Sequence, residues 1–76
     1  VDMTERTRQD DQKMHELIHV LNLFKAQRAK SKSRMDYAMI ERERDYFAAR
    51  VEAYDGNIAI VEARIEEIVA RERDDT

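Results

Sequence analysis

Cysteine and proline are absent from this chain, and Gly56 is its only glycine. Without cysteine there are no disulfides and no thiolate metal sites, a usage that fits a cytoplasmic protein. Without proline, and nearly without glycine, the residues that punctuate strands and tight turns are missing. No apolar run approaches the ~20 residues needed to span a bilayer, and no signal peptide is visible. Catalytic-triad signatures, glycine-rich phosphate loops and redox pairs are lacking too.

What the 76 residues do contain is charge, 41% Asp, Glu, Lys and Arg, interleaved with aliphatic side chains. That is the composition of a coiled coil, and the length allows one domain. Val1-Asp2 ahead of Met3 reads as a cloning scar.

The dominant pattern is Tyr37, Ile40, Arg44, Phe47, Val51, Tyr54, Ile58, Val61, Ile65, Ile68. Its steps alternate between three and four residues, the seam of a long helix that lies along other helices. An earlier amphipathic stretch carries Met14, Leu17, Ile18, Val20, Leu21, Leu23 and Phe24. These cover more than half a helical circumference, whereas one partner helix buries a stripe of roughly 100°. Helix 1 is therefore expected to touch more than one neighbour.

Between the two lies Ser31-Lys32-Ser33. Serine competes for backbone hydrogen bonds and favours helix ends, and Ser33 with Asp36 resembles a capping box. The first seam would continue to Arg28, Ser31, Met35 and Ala38, out of step with the second, and a turn explains the shift. The expected fold class is all-α: an antiparallel helical hairpin with a short helix 1 and a long helix 2, assembling into an oligomeric coiled coil or helix bundle. Residues 1–9 are expected to fray and 74–76 to form a tail, leaving one domain over 10–73. Helix 1 is expected at about 10–30, the turn at about 31–33 and helix 2 at about 34–73. The seam keeps phase across Gly56, so helix 2 is expected to run through it, at a cost of about 1 kcal/mol. A second face of helix 2, Tyr46, Ala49, Ala53, Gly56, Ile60, Ala63 and Ala70, interrupted by Glu67, reads either as a small-residue seam that lets another backbone approach closely or as a solvated face filled with alanine, the best helix former.

A turn at 31–33 would place Phe24 beside Ile40, Leu17 beside Phe47 and Met14 beside Val51. Beyond Val51, helix 2 would then face only the polar start of the chain. Phe47, Val51, Tyr54, Ile58, Val61, Ile65 and Ile68 are accordingly the expected oligomer interface, with Arg44 setting register.

Three sets of residues bear on function. Lys25, Arg28, Lys30, Lys32 and Arg34 form a run of cations without an acid in a chain of net charge −3. They are candidates for phosphate or acidic-partner contacts. His15-Glu16-Leu17-Ile18-His19 matches H-E-x-x-H, which sets two imidazoles on one helix face to share a zinc. It resembles the zincin metallopeptidases. That resemblance implies His15 and His19 as ligands, Glu41 (four before Asp45) as the third, and Glu16 as general base on metal-bound water. Glu16 and His19 also echo the Glu-x-x-His of di-iron carboxylate bundles. Alternatively, Asp11, His15, His19 and Asn22 are one polar edge of helix 1. The favoured expectation is a non-enzymatic, cofactor-free scaffold or adaptor that self-associates and binds another protein through helix faces. A nucleic-acid-associated regulator using residues 25–34 comes second. A metal-binding helical protein or zinc hydrolase comes third. No membrane role is expected.

Overall fold

A computed structural model describes the backbone of residues 3–74 and the side chains of residues 8–73. Among them the chain forms two helices, α1 over Met3–Tyr37 and α2 over Glu41–Asp74. They fold back on each other as a hairpin measuring 58 × 17 × 14 Å, the dimensions of two helices of ~50 Å lying side by side. No described helix is long and apolar enough to cross a membrane.

Several boundaries differ from expectation. Helix 1 does not end near residue 30. It passes through Ser31, Lys32 and Ser33 to Tyr37, and the two helices are nearly equal at 35 and 34 residues. At its other end α1 already begins at Met3 rather than near residue 10. Val1-Asp2, the suspected scar, and residues 75 and 76 of the tail lie outside the described residues. Ser31 is buried in the helix pair, 5% exposed, so it is a small seam residue and not a cap. Serine costs a helix only about 0.5 kcal/mol relative to alanine, which packing easily offsets.

The turn is Ala38-Met39-Ile40, with no glycine and no positive φ. The backbone closes it in two steps. The Ala38 N–H donates to Met35 O at 3.2 Å, tightening the last turn of α1, and the Arg44 N–H donates to Ile40 O at 3.1 Å, opening α2. The Arg44 guanidinium then donates to Ala38 O at 3.2 Å, satisfying one of the carbonyls that a helix end leaves orphaned. Arg44 therefore caps the turn. It is exposed and does not occupy the seam. Glu41 and Glu43 in the first turn of α2, and Arg34 in the last turn of α1, suit the helix dipoles.

Moving the turn from residue 32 to residue 39 shifts every pairing between the helices. Phe24 meets Tyr54, ring centroids 6.3 Å apart, rather than Ile40. Leu17 and Val20 share a groove with Arg64 and Ile68, and Ser31 and Arg34 share another with Phe47. The α2 seam begins at Phe47, since Tyr37 and Ile40 are exposed. From there Phe47, Val51, Tyr54, Ile58, Val61, Ile65 and Ile68 are all buried or half-buried. The opposing α1 seam is Met14, Leu17, Leu21, Phe24, Arg28, Ser31 and Met35, the continuation of the first spacing pattern. The expected oligomer interface is thus already engaged within one chain, and the idea that helix 2 lacks an internal partner is overturned. Gly56 is helical, with open space where a Cβ would stand, so α2 is continuous there as its spacing requires.

Candidate functional site

With both seams facing inward as heptad positions a and d, the g and c positions of the two helices open onto one broad face and the e and b positions onto the other. Two grooves on the g and c face show that both helices contribute to it. One, near the open end, has a volume of about 350 Å³. Leu17, Val20 and Ile68 form its floor, and Lys13, Glu16, Arg64, Glu67 and Arg71 form its walls. The other, near the turn, has a volume of about 370 Å³ and is lined by Gln27, Lys30, Ser31, Arg34, Tyr46, Phe47 and Arg50.

The turn-end groove holds three cations, two aromatic rings and no carboxylate. Its best-positioned cation is Arg50. The guanidinium donates to Tyr54 Oη at 3.0 Å and to Tyr46 Oη at 3.4 Å. It also lies 5.7 and 5.8 Å from the centroids of the same two rings, within cation–π range. Electrostatic interaction with Tyr54 first, and then the hydrogen bond to Tyr46, push the Arg50 pKa above its ordinary value. Arg50 is a fixed cation at any physiological pH. Arg34 lies 6.0 Å over the Phe47 ring, and Tyr46 meets Phe47 edge-on at 5.2 Å.

The run of cations at residues 25–34 does not surround a turn. It occupies the last turns of α1 and divides three ways. Arg28 is half-buried in the seam and paired with Asp55 of α2. Lys32 pairs with Asp36 at 3.6 Å on the e and b face, where Lys25 also projects. Lys30 and Arg34 face the turn-end groove. Arg50, Tyr46 and the Tyr54 hydroxyl were not assembled into this site from the sequence. Their one local signal is the Tyr-Arg-Tyr spacing of four residues on a single helix face.

The histidine pair lies elsewhere. His15, Glu16 and His19 are exposed in the first half of α1. Glu41 begins α2 beside the turn, and the 18 residues from His19 to Tyr37 place it about 27 Å further along the rod at 1.5 Å per residue. The ligand set His15, His19 and Glu41 is therefore not brought together. No group of three or more metal-ligating side chains occurs among the described residues. No protein-family model matches the chain, and no curated protein or solved structure matches it significantly. The candidate site is the basic, partly aromatic face, set opposite a face on which α2 places Glu52, Asp55, Glu62 and Glu66.

Proposed function

We propose that the protein is a non-enzymatic helical-hairpin scaffold or adaptor that self-associates and works through recognition of its helix faces. The observation that carries this reading is exposed area. The chain presents 6419 Å² to solvent. A compact monomer of its 9.1 kDa mass presents about 4,900 Å². The difference, about 1,500 Å², is more than the ~800 Å² that one partner contributes to a standard protein–protein interface. The large apolar residues Leu23, Tyr46 and Ile60 lie in this open surface, each at least half exposed. Among the described residues only Ala38, Val61 and Ile68 are buried apolar side chains, a thin core for a free-standing domain. Light scattering tests the proposal: the mass at micromolar concentration should exceed that of one chain, and melting temperature should rise with protein concentration. A 9.1 kDa particle with concentration-independent melting would refute it.

One observation favours a second reading, nucleic-acid association: the cations Lys30, Arg34 and Arg50 share the turn-end groove with Tyr46 and Phe47. Cations that track phosphates and rings that stack on bases are the two ingredients of single-strand binding. Retention on single-stranded DNA or RNA at low salt, lost in Lys30→Glu with Arg50→Glu and falling steeply with salt, would support it. Absence of retention at low salt would remove it.

A further inference from the structure

Charge is sorted between the two broad faces of the hairpin, and both faces are open to solvent. The g and c face carries Lys30, Arg34 and Arg50 toward the turn, and toward the open end Lys13, Arg64 and Arg71, which outnumber Glu16 and Glu67 beside them. Between these cationic ends Leu23 and Ile60 stand 50% and 62% exposed. That is the anatomy of an interface, an apolar centre with a charged rim. On the other face α2 presents Glu52, Asp55, Glu62 and Glu66, while α1 presents Ile18, 43% exposed, between His15 and the cations Lys25 and Lys32. Both described ion pairs, Arg28–Asp55 and Lys32–Asp36, lie on this acidic side, and they leave Glu52, Glu62 and Glu66 for an outside cation.

We propose that the basic face of one copy docks on the acidic face of the next, so that the protein assembles head to tail. The inference rests on the self-association proposed above and specifies its geometry. The sorting disfavours a two-fold dimer through either broad face, because that would lay a basic face on a basic face, or an acidic face on an acidic one. Unlike faces satisfy both rims at once. Such a contact is heterologous: each copy gives one face to one neighbour and keeps the other for a second, so the assembly grows as a ring or an open chain. The exposed area agrees, since an excess of about 1,500 Å² is nearly twice the ~800 Å² that one partner contributes to a standard interface. Opposed charged rims also predict steep weakening by salt, because the screening length falls from ~10 Å at 0.1 M to ~3 Å at 1 M.

The test is charge reversal with mixing, on the full chain. A basic-face variant, Lys30→Glu with Arg50→Glu and Arg64→Glu, and an acidic-face variant, Glu52→Lys with Glu62→Lys and Glu66→Lys, are first checked for helicity by circular dichroism. Masses are then measured by light scattering, separately and mixed in equal amounts. Each variant alone should lose assembly, and the mixture should regain it, because one then has two acidic faces and the other two basic ones. The wild-type mass should fall toward that of one chain between about 0.1 M and about 1 M salt, a readout that needs no variant to fold. An acidic-face variant that still assembles alone, or a wild-type mass unmoved by salt, would overturn head-to-tail docking and leave self-association standing. A wild type that is monomeric at low salt would overturn both.

Discussion

The open half of the hairpin and the half next to the turn use the same helix geometry for different ends. In the open half, Met14, Leu17, Leu21 and Phe24 lie against an α2 seam of Ile58, Val61, Ile65 and Ile68, and two of the three buried apolar residues are there. In the turn half the α1 seam becomes Arg28, Ser31 and Met35, and α2 answers with Phe47, Tyr46 and Tyr54 flanking Arg50. Aliphatic layers hold the pair together without regard to direction. Hydrogen-bonded and cation–π layers contribute less cohesion, but they fix where charges point. Cohesion and fixed charge geometry are therefore concentrated at opposite ends of one rod.

The largest effect should come from attacking the aliphatic half. Val61→Asp with Ile68→Asp places two unpaired charges where 8% and 4% of the residue surface is exposed. A buried charge without a partner costs about 3–5 kcal/mol, so two consume most of the 5–15 kcal/mol typical of a domain. The variant should show little helical signal in circular dichroism at room temperature; a native spectrum would mean the open half does not hold the fold. A gentler pair separates chemistry from burial. Ile68→Ala should cost about 2–4 kcal/mol. Ser31→Ala, at nearly equal burial, should be neutral or stabilising by about 0.5 kcal/mol. Equal losses in denaturant titrations at one fixed concentration would erase the contrast between the halves.

Gly56→Ala probes the boundary between fold and assembly. Space is open around the missing Cβ and the backbone is helical, so the hairpin should gain about 0.5–1 kcal/mol. A stabilised hairpin whose mass by light scattering is unchanged would show that the small-residue face of α2 is not where copies meet. The smallest expected effect lies in the turn half. The Arg28–Asp55 pair is partly exposed, with side chains 37% and 52% accessible. A double-mutant cycle to alanine should return a coupling of about 0.2–1 kcal/mol that fades with salt. A coupling several times larger would mean that the polar half also holds the fold.

Much of the register was legible in the sequence. The steps Met14, Leu17, Leu21, Phe24 point on to Arg28, Ser31, Met35 and Ala38, and the structure follows them. The misreading was to treat the polar members of that series as a break. Ser31 and Arg28 lie in the seam because the large α2 side chains opposite them leave room for a small residue and Asp55 offers Arg28 a charge. Neither condition is visible in α1 alone. The true turn, Ala38-Met39-Ile40, carries no local signal, because its closure depends on a backbone bond and on Arg44 reaching back six residues. The candidate site was hidden for the same reason. Lys30 and Arg50 come together only once the turn is placed at residue 39, and any estimate seven residues off sends Arg50 to the wrong partners.

The tight, capped turn also decides how the molecule bears load. Because α1 and α2 reverse direction at Ala38-Met39-Ile40, Met3 and Asp74 leave the rod at the same end, and tension applied there peels the helices apart layer by layer rather than shearing all layers together. The aliphatic layers around Ile68 and Leu17 take that tension first and resist it most. The polar layers near the turn yield afterwards. Force pulling the chain ends apart thus meets its main resistance at the start, and once those layers part the hairpin opens through to its tip.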